Sequence, residues 1–243
     1  MSRRTVVLTS LAGVLAVTIA VANREVTTKQ GVNFEVSTHR LPLYLKTLEF
    51  VDRSAQYRQI AAEITRGSAS DQDRALKVFD WTSRHIRPTP DGWPVVDDHI
   101  LNIIIRGHGM SDQCADVFAM LLTSAGVPAF WHKVRAPDTG DGLILTFVHV
   151  DGRWVVMDVA NGFLLRNARG ELATAEDLAA NQALLPDAAR SLILGSTPYP
   201  RFFNELRTPP IPRPSRAELQ MVWPRLWYEM THAAGREHDE SER

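Results

Sequence analysis

The chain is short of cysteine: it has one, Cys114, in 243 residues. A single cysteine excludes an intramolecular disulfide and a Cys-rich zinc site. It is equally short of net charge, with 27 basic against 28 acidic side chains and a formal balance of −1. That balance removes the electrostatic case for a nucleic-acid partner. Glycine and proline, 14 each, stay near average usage and no internal repeat is present, which excludes wholesale disorder. What is left is an ordinary globular composition, 44% hydrophobic and 23% charged, long enough for one substantial core.

Long uncharged runs are also scarce, and the chief one is N-terminal. Arg3-Arg4 precede an uncharged stretch over residues 5–22, followed by Asn23-Arg24-Glu25. This is a basic leader with an apolar centre, and Ala20-Val21-Ala22 fits a small-x-small cleavage site. The stretch also approaches the ~20 apolar residues that span a bilayer. Both readings put everything after Ala22 outside the cytoplasm, periplasmic or at the cell surface. Residues 5–22 are then either a cleaved signal peptide or an inner-membrane anchor, with the membrane as a partner in the second case. The polar, aperiodic residues 23–40 are expected to be a spacer.

Beyond the spacer, residues 41–50 and 57–65 carry helical periodicity, with Ile60, Ala61 and Ile64 on one stripe. Gly67 ends that pattern, and Ser70-Asp71 open a helix in which Ala75, Leu76 and Phe79 lead to Ile86. Pro88, Pro90 and Pro94 force an extended loop. Asp97 and Asp98 suit the first turn of a short helix over residues 100–105. Ser111 is the expected N-cap of the helix carrying Cys114, which buries Val117, Phe118, Leu121 and Leu122 and closes at Gly126 and Pro128. Strands follow at residues 129–134, 143–150 and 153–160, the last two joined by the hairpin turn Asp151-Gly152. Thr174 caps a further helix, and prolines punctuate residues 198–214. A capping box, Ser215-Arg216-Ala217-Glu218, opens a last helix that Pro224 should kink. Residues 41–195 thus read as the main domain, 196–234 as a proline-rich stretch with a C-terminal helix, and 235–243 as a charged, disordered tail.

Chemistry concentrates at Cys114. At a helix start the unpaired backbone amides and the helix dipole favour thiolate over thiol, which makes a lone cysteine a candidate nucleophile. The plain structural reading is a small buried apolar side chain. Asp112 and Asp116 lie close in sequence and oppose a thiolate. Downstream, the hairpin Asp151-Gly152-Arg153-Trp154-Val155-Val156-Met157-Asp158 is where a base and its orienting carboxylate would lie.

Four pieces in this order, at residues 71–81, Cys114-Ala115-Asp116-Val117-Phe118-Ala119, residues 121–129 and residues 151–158, resemble the transglutaminase-like superfamily. That superfamily shares the papain-type cysteine-protease fold. The resemblance covers residues 55–180 and implies an α+β fold, with N-terminal helices including the Cys-bearing one packed on a small antiparallel sheet, and extra C-terminal helices. It implies Cys114 as nucleophile, Asp158 as the acid that orients a histidine, and no cofactor or metal. The family's histidine slot falls on Leu143, or with slippage on Leu145. A two-residue turn pairs Val150 with Arg153, His149 with Trp154, Phe147 with Val156 and Leu145 with Asp158. His149 shares the face of Asp158 but lies four residues along the strand, ~13 Å away. His132 pairs near Leu145, two strand spacings or ~9–10 Å from Asp158. His108, in the glycine turn before Cys114, is the third candidate base. Two functions are therefore expected. One is a degenerate or weakly active domain serving an envelope or surface-polysaccharide process; the other is a thiol-dependent amidase, peptidase or acyltransferase. The expected partner is a peptide, protein or envelope polymer.

Overall fold

The computed structural model describes residues 3–97, 99–136 and 138–239. In chain order the elements are α1 (Arg3–Ala22), β1 (Glu25–Val32), β2 (Glu35–Pro42), α2 (Leu43–Ile64), α3 (Asp71–His85), β3 (Arg87–Pro88), β4 (Val96–Asp97), α4 (Ile100–Arg106), β5 (His108–Gly109) and α5 (Ser111–Ser124). Then come β6 (Ala129–Arg135), β7 (Gly142–Val150), β8 (Arg153–Asp158), β9 (Phe163–Leu164), α6 (Ala175–Ala180), α7 (Asp187–Arg190), β10 (Ile193–Leu194), β11 (Thr197–Pro198) and α8 (Val222–Asp239). The chain divides into two units, Met1–Arg53 with Pro94–Asp98, and Ser54–Trp93 with His99–Arg243. The division falls inside α2.

In the first unit the expected spacer is instead a hairpin. β1 and β2 pair antiparallel from Glu25↔Pro42 to Val32↔Glu35, and β4 adds to the other edge of β1. The turn residues Asn33 and Phe34 both have positive φ, 50° and 68°. A left-handed phenylalanine is an uncommon turn residue, and the strands lack apolar alternation, so neither usual hairpin signal is present. In α1 the side chains from Ser10 onward are described, and Leu11, Val14, Leu15, Val17, Ile19 and Val21 are all exposed. Among the described residues no helix is long and apolar enough to cross a membrane.

The second unit is built around α5. Every residue from Gln113 to Leu122 is buried, as expected of a helix that is largely apolar all round. α3 and α4 pack on it from one side and β6 and β7 from the other. The four-stranded sheet runs β6-β7-β8-β9, antiparallel throughout. Its central strand β7 is buried on both faces. Ile144, Val148 and Val150 join α5 in one core, while Leu143, Leu145 and Phe147 join Val156, Leu178, Tyr199 and Phe203 in a second. Asp151 and Gly152, with φ of 50° and 75°, close the β7–β8 hairpin as expected. The caps also follow the sequence: Ser70 Oγ accepts from Asp73 N, and Thr174 Oγ1 from Asp177 N.

Four local expectations change. The patterns at 41–50 and 57–65 are one continuous helix, α2. Ser111 is the first residue of α5 rather than its cap, which is Met110. The Ser215/Glu218 capping box forms, with Glu218 N donating to Ser215 Oγ (3.1 Å) and Ser215 N to Glu218 Oε2 (2.6 Å). It closes only a 3-10 turn, Glu218–Gln220, and α8 starts afresh at Val222. Pro224 therefore sits in the first turn, where its missing N–H breaks no bond, and it has no helix interior to kink. Residues 235–239, expected in the disordered tail, continue α8; residues 240–243 of that tail lie outside the described residues. Because Leu121 is wholly buried at the centre of this unit, Leu121→Ala should lower unfolding free energy by about 2–5 kcal/mol in urea titration.

Candidate active site

Cys114 is the fourth residue of α5, and its N–H already donates to Met110 O at 2.9 Å. Its neighbours occupy two of the backbone N–H groups that a helix start offers. Asp112 Oδ1 accepts from Gln113 N (2.9 Å), and Gln113 Oε1 accepts from Met110 N (3.0 Å). Only 5% of Cys114 is exposed, and its side chain belongs to the core shared by α5 and the sheet. Burial, followed by the charge of Asp158, pushes the thiol up to about 12. Helix position alone predicts a lowered thiol pKa; desolvation and the nearby carboxylate outweigh it.

Asp158 ends β8 and is fully buried. Its carboxylate takes three hydrogen bonds: Asn161 N to Oδ1 (3.0 Å), Asn161 Nδ2 to Oδ2 (2.8 Å) and Tyr199 Oη to Oδ2 (2.7 Å). Burial raises its pKa, and the donors from Tyr199 and Asn161 act against that rise. The Tyr199 hydroxyl is itself pushed well above its usual value by burial and by Asp158. Asp158 and Val156 alternate onto one face of β8, and the tyrosine that Asp158 binds belongs to the second core. Cys114 belongs to the first.

The strand register places the histidines. His149 pairs with Trp154, Phe147 with Val156, and Thr146 with Met157. One step on, Leu145 stands opposite Asp158, and Leu143 lies two residues beyond. Both leucines are buried, so the family's histidine slot is part of the apolar core. His149 rests against Trp154 with ring centroids 5.1 Å apart and lines a cleft with Thr123 and Gly126, at the far end of α5 from Cys114. Nine residues of helix, from Cys114 to Thr123, span about 13–14 Å. His132 pairs with Leu145 as expected and is exposed on the edge strand β6. His108 packs edge-on against Trp93, centroids 5.2 Å apart, and its Nδ1 is buried without a hydrogen-bond partner. Among the described residues Cys114 Sγ makes no hydrogen bond, to a histidine or otherwise, and no group of three or more His, Cys, Asp or Glu side chains could hold a metal.

Two partnerships lay beyond the sequence reading. Tyr199 reaches Asp158 from 41 residues downstream, with no local signal. Asn161, by contrast, follows Asp158 in a turn where an aspartate commonly accepts backbone N–H bonds, and was legible there. The second is at Asp116, whose buried carboxylate accepts from Trp131 Nε1 (2.6 Å) and pairs with Arg216 (2.9 Å). The Arg216 guanidinium lies 6.0 Å from the Trp131 ring centroid. Asp116, expected to oppose a thiolate, is thus charge-compensated by Arg216.

The buried carboxylate makes a pH-dependent prediction. The Asp158 carboxyl titrates higher in the folded chain than in the unfolded one, so the folded state holds that proton more tightly. This group's contribution to stability therefore falls as pH rises between the two values. Tyr199→Phe removes a donor that opposes the rise, extends the interval upward, and leaves a buried acceptor short of a partner. Its cost, about 1–3 kcal/mol, should grow as pH rises through the folded wild-type value of Asp158, followed by urea titrations across the stable pH range. A cost that shrinks as pH rises would contradict the assignment.

Residues 58–159 match the family model described as the transglutaminase-like superfamily. Among solved structures, the chain is similar to a candidate cysteine protease from Cytophaga hutchinsonii at 13% identity and a TM-score of 0.39, covering 49% of this chain and 40% of that one. A candidate protease from Parabacteroides distasonis gives 12% and 0.36, covering 56% and 36%. A TGase gives 10% and 0.35, covering 60% and 46%. The match spans less than half the length of each of these structures. No curated protein matches the chain. With its helices, Cys-bearing α5 and antiparallel sheet in the expected order, the stretch from residue 58 to 159 matches the transglutaminase-like superfamily model and is of α+β class.

Proposed function

We propose that this chain is a degenerate transglutaminase-like protein that works outside the cytoplasm as a binding or scaffold module rather than as an acyl-transfer catalyst. The observation that carries the reading is the state of Cys114. A thiol pushed up to about 12, with no imidazole bonded to it among the described residues, stays protonated near neutral pH. Thiol-dependent acyl transfer needs a thiolate to attack the carbonyl carbon and an acid to protonate the leaving group. Leu143, in the histidine slot, supplies neither. At Asp158 the position of an oriented imidazole is taken by Tyr199 and Asn161. The competing reading, an amidase, peptidase or acyltransferase, draws on Cys114 and Asp158 standing where the family has its nucleophile and acid.

Location outside the cytoplasm is supported by the uncharged run over residues 5–22 behind Arg3-Arg4, and by the exposed apolar side chains of α1. Apolar side chains exposed along the described part of this helix fit a lipid or translocation environment better than water. The partner in this reading is a peptide, protein or envelope polymer.

Two measurements test the reading. At about pH 8 an ordinary cysteine is roughly one-quarter thiolate, whereas a thiol at about 12 is roughly one part in ten thousand. Alkylation of native Cys114 by iodoacetamide, followed by intact mass, should thus be roughly a thousandfold slower than for free cysteine, and recover in urea. Rapid native alkylation at about pH 6, abolished by changing one histidine, would sink the non-catalytic reading and name the base. For location, residues 1–24 fused to a reporter active only outside the cytoplasm should give activity, and replacing Val14 and Leu15 by aspartate should remove it.

A further inference from the structure

Among the described residues β6 is the edge of the four-stranded sheet and pairs only with β7. Bonds from Ala136 N to Asp141 O and from His149 N to Pro128 O, each 2.9 Å, fix the phase of its ladder. Even-numbered residues of β6 therefore turn their backbone N–H and C=O toward β7, and odd-numbered ones turn theirs outward. The outward groups of Lys133 and Arg135 meet no hydrogen-bond partner among the described residues.

A cleft of about 1030 Å³ runs beside this edge. One wall is β6 from His132 onward; the other comes from the segment between Ser196 and Pro209, with Phe202 and Leu206 buried beneath. Lys133, Arg135, Arg201 and Arg207 line it together with two carboxylates, Asp138 and Glu205. Arg201 is held by Asp138. Lys133, Arg135 and Arg207 form no ion pair among the described residues.

We propose that this edge is a docking site for an extended acidic peptide segment of a partner protein, which adds to the sheet as a strand beside β6. Charged side chains on an edge also serve simply to discourage edge-to-edge aggregation. Two features go beyond that role: the cleft of about 1030 Å³ that runs along the edge, and a third cation, Arg207, on the opposite wall with no ion pair among the described residues. The free backbone groups select among anions. A peptide presents N–H and C=O at the two-residue spacing, about 6.6 Å, at which the outward groups of Lys133 and Arg135 recur. A polysaccharide or polyphosphate answers the charge but not this ladder. Carboxylates of the peptide then meet Arg135 and Arg207 across the cleft, and Lys133, whose stem folds back over Gly142 of β7, from the sheet side. The surface needs no chemistry at Cys114, so it stands or falls separately from the proposed loss of catalysis.

The test is fluorescence anisotropy of the full chain with a labelled seven-residue peptide alternating glutamate and threonine, beside its glutamine-for-glutamate counterpart. The acidic peptide should bind and the glutamine one should not, and salt should weaken the binding. Lys133→Ala, Arg135→Ala and Arg207→Ala should each weaken it roughly two- to fivefold, as exposed ion pairs do. Arg135→Pro removes an outward N–H without touching the β6–β7 ladder and should weaken binding further than Arg135→Ala. If that variant fails to fold by circular dichroism, the alanine series and the salt dependence still decide the matter. Equal binding of the two peptides, no binding of the acidic one, or binding of polyphosphate alone with the same dependence on the three cations would overturn the proposal.

Discussion

The buried carboxylate of Asp158 is the constraint on which much of the second unit depends. A carboxylate taken out of water is costly unless donors surround it, and removing one partner of such a group is strongly destabilising. Here the donors come from two places, the turn carrying Asn161 and the segment beginning at Tyr199. The same bonds therefore fix how the chain leaves β8 and where the C-terminal segment closes the second core. They also bear on the proposed loss of catalysis: the carboxylate is committed to a phenol and an amide, and its charge raises the neighbouring thiol.

Around this point the fold is simple. α5 is buried along ten consecutive residues because its sequence offers almost no polar face, so the helices and the sheet must cover it from both sides. β7, buried on both faces, separates two cores that draw on alternate residues. A leucine at position 143 suits the second core well, whereas an imidazole there would need a polar partner inside it. On the proposed reading, the requirements of packing and those of acyl transfer diverge at that position.

Much of this was legible from sequence where the determining signals are local. Asp151-Gly152 set the hairpin register, and the register set which residue faces Asp158 and which faces His132. Ser70 and Thr174 announced their helices through caps that act within three residues. What escaped depended on distance or on context. Tyr199 to Asp158 and Arg216 to Asp116 join residues that only the folded chain brings together. The β1–β2 hairpin has neither alternation nor a glycine turn to betray it. Pro224 lies at a helix start rather than in an interior because the capping box marks a single turn and not the helix. At Cys114 the helix dipole, which sequence shows, favours thiolate, whereas desolvation, which only packing reveals, pushes the thiol up.

The central claim is that packing and a saturated carboxylate hold Cys114 as a neutral thiol. The most direct measurement is the thiolate ultraviolet absorbance followed against pH, as the difference between the native chain and its Cys114→Ser variant so that tyrosine ionisation cancels. With the thiol pushed up to about 12, the difference should stay flat to at least about pH 10. A thiolate step at or below about pH 8 would contradict the account.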